Sequence, residues 1–204
     1  RRVPVRSRAG CDWPYAVRRY NGDGPDSYHY QARVLLAILK GEHGRRPMRS
    51  VPSWDLYYLG ICRVVAARSK DPNTQVGCII AGPAHEIRST GYNSLPRGIR
   101  DDVTERLERP TKYLWMEHAE RNAIYNAARC GTPLESCTLY VEIMPCMDCA
   151  RAIVQAGIRE VVISHERMSQ YSSEYYDEHF RNVDTLFREA GVPRVVMASS
   201  VHAD

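Results

Sequence analysis

Apolar positions follow no regular spacing over the first fifty residues, where "YNGDGPDS" is turn-rich and "GEHGRRPMRSVP" reads as a linker. From Ser53 the pattern becomes regular. "SWDLYYLGICRVVAARS" opens on a capping serine, has Asp55 in its first turn and repeats apolar residues at Leu56, Leu59, Val64 and Val65, which predicts an amphipathic helix. "QVGCIIAG" and "EIRSTGYN" are short runs joined by a Gly-Pro turn and predict a hairpin. Residues 93–117 read as one long polar loop, and loops of that length inside a compact domain are usually functional. Then helix and strand patterns alternate: a helix over 119–130, strand "CTLYVEI", a helix over 146–157, strand "EVVIS", a helix around 177–190 and strand "PRVVMA". Each later strand follows a helix long enough to cross the sheet, so right-handed crossovers and a mostly parallel arrangement are expected after the hairpin. The expected class is α/β: a three-layer α/β/α sandwich with a five-stranded mixed sheet. No internal repeat is visible.

The 204 residues suffice for one domain with a sizeable core, expected at 53–204, behind a basic N-terminal extension at 1–52. Charge divides along the same line. Residues 1–47 hold ten Lys/Arg against four Asp/Glu, a net +6, and the remainder holds 18 against 20, a net −2. The front is expected to be a solvated, non-native or disordered extension, and the near-neutral remainder gives no reason to expect a nucleic-acid partner. The numbering begins at Arg1, and Met48 falls just before the organised part, which makes it a candidate natural start. The alternative is a basic appendage with its own helix, "YQARVLLAILKG". No apolar run approaches the roughly 20 residues that span a bilayer, and no secretory signal is evident, so a cytoplasmic protein without membrane partners is expected.

Seven cysteines, an odd number without a secretory signal, point to reduced thiols. Cys62, Cys78 and Cys137 sit in apolar runs and read as core residues. Cys146 and Cys149 are a Cys-x-x-Cys pair at a helix start, where free N–H groups and the helix dipole favour thiolates. A redox dithiol would look similar, but His118 stands at another helix start and supplies a third ligand. Two thiolates and one imidazole form a catalytic zinc set with the fourth position left for water. A structural site would need a fourth protein ligand, and the nearest, Cys130, lies three helical turns from His118. Glu120 could merely favour the helix dipole. Two residues from His118, it reads instead as a proton carrier for water at the metal. The whole pattern, His-x-Glu followed by Pro-Cys-x-x-Cys, is similar to the signature of zinc nucleobase deaminases.

The resemblance extends well beyond that signature. "ARSKDPNTQVGCIIA", "GYNSLPRGIRDD", "KYLWMEHAERNAIYNAA" and "PCMDCARAIVQAGIREVV" resemble the deoxycytidylate (dCMP) deaminase family, of cytidine-deaminase-like fold, over about residues 53–198. The resemblance implies hydrolysis of dCMP to dUMP and ammonia, with Zn2+ on His118, Cys146 and Cys149 and Glu120 as acid and base. It also implies a homo-oligomer. Riboflavin-pathway deaminases, which share a stretch like "PNTQVG", are the nearest rival. A modified dCMP, CMP or an RNA base are further alternatives, and a non-catalytic zinc module is the reading from another class.

Asn93 matches the position where the superfamily holds the sugar, and Asn73 is a second candidate of the same type. Ser69, Lys70, Arg97, Arg100 and Lys112 are candidates for the phosphate, each competing with an ordinary role as a solvated surface group. Tyr113 and Trp115 precede the His118 helix and are expected either to stack on the base or to pack in the core, with the core slightly favoured. Two departures from the family stand out. Members regulated by dCTP and dTTP commonly carry Gly after the loop Asn, and here Ser94 stands there, so that regulation remains an open expectation. Arg121 replaces the Leu of many eukaryotic relatives and is placed to reach a phosphate or a neighbouring subunit.

Overall fold

The computed structural model describes residues 50–168 and 174–197. Expectations for residues 1–49, including the helix over 30–41, lie outside the described residues. From Pro52 the chain forms one compact unit. Its elements are α1 (Trp54–Ala66), β1 (Gly77–Ala81), β2 (Ile87–Tyr92), α2 (Lys112–Trp115), α3 (Ala119–Cys130), β3 (Thr138–Val141), α4 (Met147–Gln155), β4 (Glu160–Ser164), α5 (His165–Met168), α6 (Glu174–Glu189) and β5 (Arg194–Met197).

The strands form one five-stranded sheet in the order β2-β1-β3-β4-β5. β1 is antiparallel to both its neighbours, while β3, β4 and β5 are parallel. Period-two alternation sends the side chains of the central strands to opposite faces. On one face Ile79, Ala81, Tyr140 and Val162 pack under Tyr58, Leu59 and Cys62 of α1. On the other, Cys78, Ile80, Leu139, Val141, Val161 and Ile163 pack with Ala119, Ala123 and Ala127 of α3, Ile153 of α4, and Val183 and Phe187 of α6. The result is the expected three-layer α/β/α sandwich with a mixed sheet. Cys62, Cys78 and Cys137 are fully buried, as expected of core thiols.

Local chemistry sets the two elements nearest the functional end. The Ser53 hydroxyl accepts the Leu56 N–H at 3.3 Å and opens α1. Helix α3 closes at Gly131, whose φ of 65° is the left-handed turn that a glycine makes without a Cβ penalty. Its alanine stripe lets α3 lie against the β2 backbone: a Cβ on Gly91 would stand 2.2 Å from the Ala119 carbonyl oxygen. β2 is an edge strand, and α3 covers part of it. Asn122 donates to the Tyr92 carbonyl at 2.8 Å and Asn126 to the Thr90 carbonyl at 2.7 Å.

The stretch 93–117 is more ordered than a polar loop. Ser94 and Glu117 pair as an antiparallel bridge that ties its two ends together, and Asn122 donates to the Ser94 hydroxyl at 3.1 Å. Between them lie a 3-10 turn at Thr104–Arg106 and the single helical turn α2.

Because only β1 is reversed, the carboxyl ends of the other four strands lie at one edge of the sheet, together with the amino end of β1. The chain leaves β2 there for the insert and α3, leaves β3 there for α4, and enters β1 there through residues 71–76. Open α/β sheets place their ligand crevices outside the carboxyl ends of the strands.

Candidate metal and catalytic site

His118 and Cys146 occupy equivalent positions, each extended and immediately before a helix, at the start of α3 and α4. Neither side chain caps its own helix, so both are available to something else. Cys149 follows in the first turn of α4, buried. The three ligand atoms form a near-equilateral triangle: His118 Nδ1 lies 3.4 Å from the Cys146 sulfur and 3.5 Å from that of Cys149, and the sulfurs are 3.5 Å apart. Among the described residues these are the three whose His, Cys, Asp and Glu atoms converge in this way. Tetrahedral zinc, with bonds of about 2.0–2.1 Å to nitrogen and about 2.3 Å to sulfur, asks for edges of roughly 3.6–3.8 Å. The triangle fits that ion to within a few tenths of an ångström. Cys130 is exposed at the far end of α3 and offers no fourth ligand.

The electrostatics are those of a site made for a cation. Cys146, hydrogen-bonded with Cys149 and then with His118, is held down to about 3, against the cost of burial. The same Cys146–Cys149 bond, with burial, pushes Cys149 up. The hydrogen bond with Cys146 raises His118. Glu120, on the second residue of α3, is almost wholly buried, and that burial holds its carboxyl above the usual range while His118 opposes the effect. Arg121 turns towards the thiolates: its guanidinium is 3.7 Å from the Cys149 sulfur and 4.0 Å from that of Cys146. It is anchored by Glu117 one turn back, with Asp148 at 3.8 Å.

His118, Glu120 and Cys146 line a cavity of about 210 Å³ whose other walls include Asp71, Asn93, Arg109, Lys112, Tyr113 and, from α6, His179 and Phe180. Asn93 is buried, its amide donating to the Thr74 carbonyl and its Oδ1 accepting the Val76 N–H, both at 2.8 Å. The other sequence candidates have different surroundings. The Ser69 hydroxyl donates to the Asn93 carbonyl at 2.8 Å and so supports that residue from behind. Lys70 is exposed and paired with Asp101 at 2.7 Å. Asn73 is exposed, and its backbone N–H donates to Asp71. Arg97 bonds Asn126, and Arg100 pairs with Asp102 at the surface. Lys112, expected to be a solvated charge or a phosphate contact, is buried against Asp71.

Tyr113 and Trp115 are not core residues. Tyr113 is 62% exposed at the cavity wall, and Trp115 is 36% exposed with the Arg106 guanidinium 4.3 Å above its ring. Four residues of helix are too few to bury both faces. Sequence reasoning missed Asp71 and Arg109. Asp-Pro-Asn is an Asx-turn signal that could have flagged the former; nothing local distinguishes the latter from a surface arginine.

The chain is similar to known proteins over this region. Residues 52–165 match the family described as the cytidine and deoxycytidylate deaminase zinc-binding region. The chain is 39% identical to human deoxycytidylate deaminase over 145 residues, covering 68% of this chain and 76% of that one. It is 36% identical to an uncharacterized deaminase of Aliivibrio fischeri over 142 residues, covering 70% and 92%. The dCMP deaminase of the cyanophage S-TIM5, solved with dCMP and dUMP, shares the fold with a TM-score of 0.57 at 20% identity over 73% of this chain and all of that one.

Proposed function

Since the chain belongs to the family of zinc-binding cytidine and deoxycytidylate deaminases, we propose that it hydrolyses dCMP to dUMP and ammonia. The observation that carries this reading is the triangle of His118, Cys146 and Cys149 with Glu120 buried beside it in one cavity. Those three residues would hold Zn2+, which supplies the Lewis acidity that makes water a nucleophile near neutral pH.

The chain's own residues do the rest. Glu120 takes a proton from the attacking water and delivers it to ring N3, which makes C4 electrophilic. Oxygen bonds to C4, Glu120 passes the second proton to the 4-amino group, and the C4–N bond breaks to release ammonia. Wall residues orient the substrate. The Asn93 donors are turned to Thr74 and Asp71, so what it offers a nucleotide is its remaining Oδ1 lone pair, which suits a sugar hydroxyl. Arg109 has no carboxylate partner among the described residues and lines the cavity, so it is the cation assigned to the 5′-phosphate. Arg121 is assigned to the thiolates, whose charge it offsets. Ser69 supports the Asn93 backbone, while Lys70 and Asn73 lie outside the cavity wall.

A homo-oligomer and a cytoplasmic location belong to the same proposal; control by dCTP or dTTP is left to a direct test with those nucleotides, since Ser94 stands where regulated members commonly carry Gly. Among the described residues no helix is long and apolar enough to cross a membrane.

Ammonia release from dCMP, CMP, dCTP, deoxycytidine, 5-methyl-dCMP and a riboflavin-pathway pyrimidine tests the reading. The highest kcat/KM is expected with dCMP. Turnover confined to the riboflavin intermediate, or to none of the six, would overturn it.

A further inference from the structure

Lys112 and Asp71 form the most deeply buried ion pair among the described residues. Nζ lies 2.7 Å from Oδ2, and the side chains are 7% and 2% exposed. Both line the cavity that holds His118 and Glu120. As a source of stability such a pair is poor, because desolvating two charges costs about what their attraction returns. Its placement suits another task.

Asp71 Oδ1 accepts the N–H groups of Asn73 at 2.9 Å and Thr74 at 3.1 Å, which folds residues 71–74 into a tight turn. That turn presents the Thr74 carbonyl and the Val76 N–H to the two ends of the Asn93 carboxamide. The amide nitrogen also faces Asp71 Oδ2 at 3.5 Å. An ionised carboxylate only accepts, so it can face only the nitrogen end of that amide. The Asn93 oxygen is thereby committed to the opposite side, with one lone pair unused. Lys112 closes the arrangement from the insert, as the first residue of α2.

We infer that the Lys112–Asp71 pair is a positioning device for the sugar, fixing the Asn93 carboxamide so that Oδ1 receives the 3′-hydroxyl of the nucleotide. The inference rests on the dCMP reading, since in dCMP the 3′-hydroxyl is the one free hydroxyl of the sugar. Lys112 is then a positioning residue and not a phosphate contact, its charge being met by Asp71.

The test uses the full zinc-loaded chain and two substrates, dCMP and its analogue lacking the 3′-hydroxyl, 2′,3′-dideoxycytidine 5′-monophosphate. The wild type is expected to prefer dCMP by about tenfold in kcat/KM, the worth of one well-made hydrogen bond. In Lys112→Met the preference falls to within about twofold, through a rise in KM for dCMP that the analogue does not share. Lys112→Arg recovers most of it. Lys112→Met leaves Asp71 buried without its partner, so the double variant Asp71→Asn/Lys112→Met, which holds no buried charge at this position, guards against mere misfolding. It is expected to fold and still to lack the preference. A folded double variant that keeps the preference overturns the inference, as does a wild type that deaminates both nucleotides equally well. A wild type that deaminates neither removes the functional reading and this inference with it.

Discussion

Glu120 sits where a carboxylate has few ordinary uses: buried, two residues from a metal-type ligand and facing a cavity. In the proposed role of proton carrier, it should be indispensable to turnover and dispensable to metal binding. Glu120→Gln keeps the shape and hydrogen-bonding reach but carries no transferable proton. A loss of at least about a thousandfold in kcat is expected, within the span of general acid–base contributions. Metal content by elemental analysis should stay near one per chain; a variant with wild-type turnover would refute the role. Asp71 gives a prediction about acid stability. Burial would raise its carboxyl, but the Lys112 hydrogen bond and the Asn73 and Thr74 N–H groups outweigh that and hold it below the usual range. A lowered folded-state value means stability that is fully present above the unfolded value of about 3.9 and lost as pH falls through the folded one. Urea unfolding of the wild type and of the neutral double variant should show the wild type losing ground below about pH 4. Equal acid profiles would deny the carboxylate its charge.

Among the elements, α3 matters most, because its start bears the proposed ligand His118 and proton carrier Glu120 and its alanine stripe lies directly against β2. A Cβ on Gly91 would meet the backbone of Ala119 and Ala123, which cannot swing aside as a flexible side chain can. Gly91→Ala should cost about 3 kcal/mol by denaturant midpoint. It should also cut kcat in the protein that remains folded, since relief must come from moving the helix that bears His118 and Glu120. The long elements were legible in the sequence: α3 has the bounds that its pattern foretold, and the strands follow their β-branched runs. The insert was not. "KYLW" is too short to show a period, and the Ser94–Glu117 bridge that shapes the insert joins residues 23 apart. The spacing of His118, Cys146 and Cys149 was readable because a metal requires particular atoms at particular distances. Asp71 was not, because a turn aspartate looks the same in sequence whether it meets water or a buried lysine.

At the scale of the whole molecule, neither core cluster includes a residue of the metal triangle, although Ala119, Met147 and Ala150 beside its ligands belong to or pack against one of them. Removing the ion should therefore loosen the domain without unfolding it. With metal about a thousandfold above its Kd, binding stabilises by about 4 kcal/mol, or about 10 °C in Tm for a domain of this size. Chelation should lower Tm by that amount, leave far-UV circular dichroism nearly unchanged and be reversed by Zn2+. A chelated protein with an unchanged Tm would mean that the triangle holds no ion in solution. The sheet topology has a further practical consequence. All the cavity-bearing connections leave one rim, whereas the β1–β2 turn at 82–86, the segment 131–137 and the links 156–159 and 190–193 lie at the other. Ala84, exposed in that far turn, is a natural point for tethering the molecule to a bead or an electrode: the reactive rim would point outward, and every anchored copy would offer its cavity to the stream.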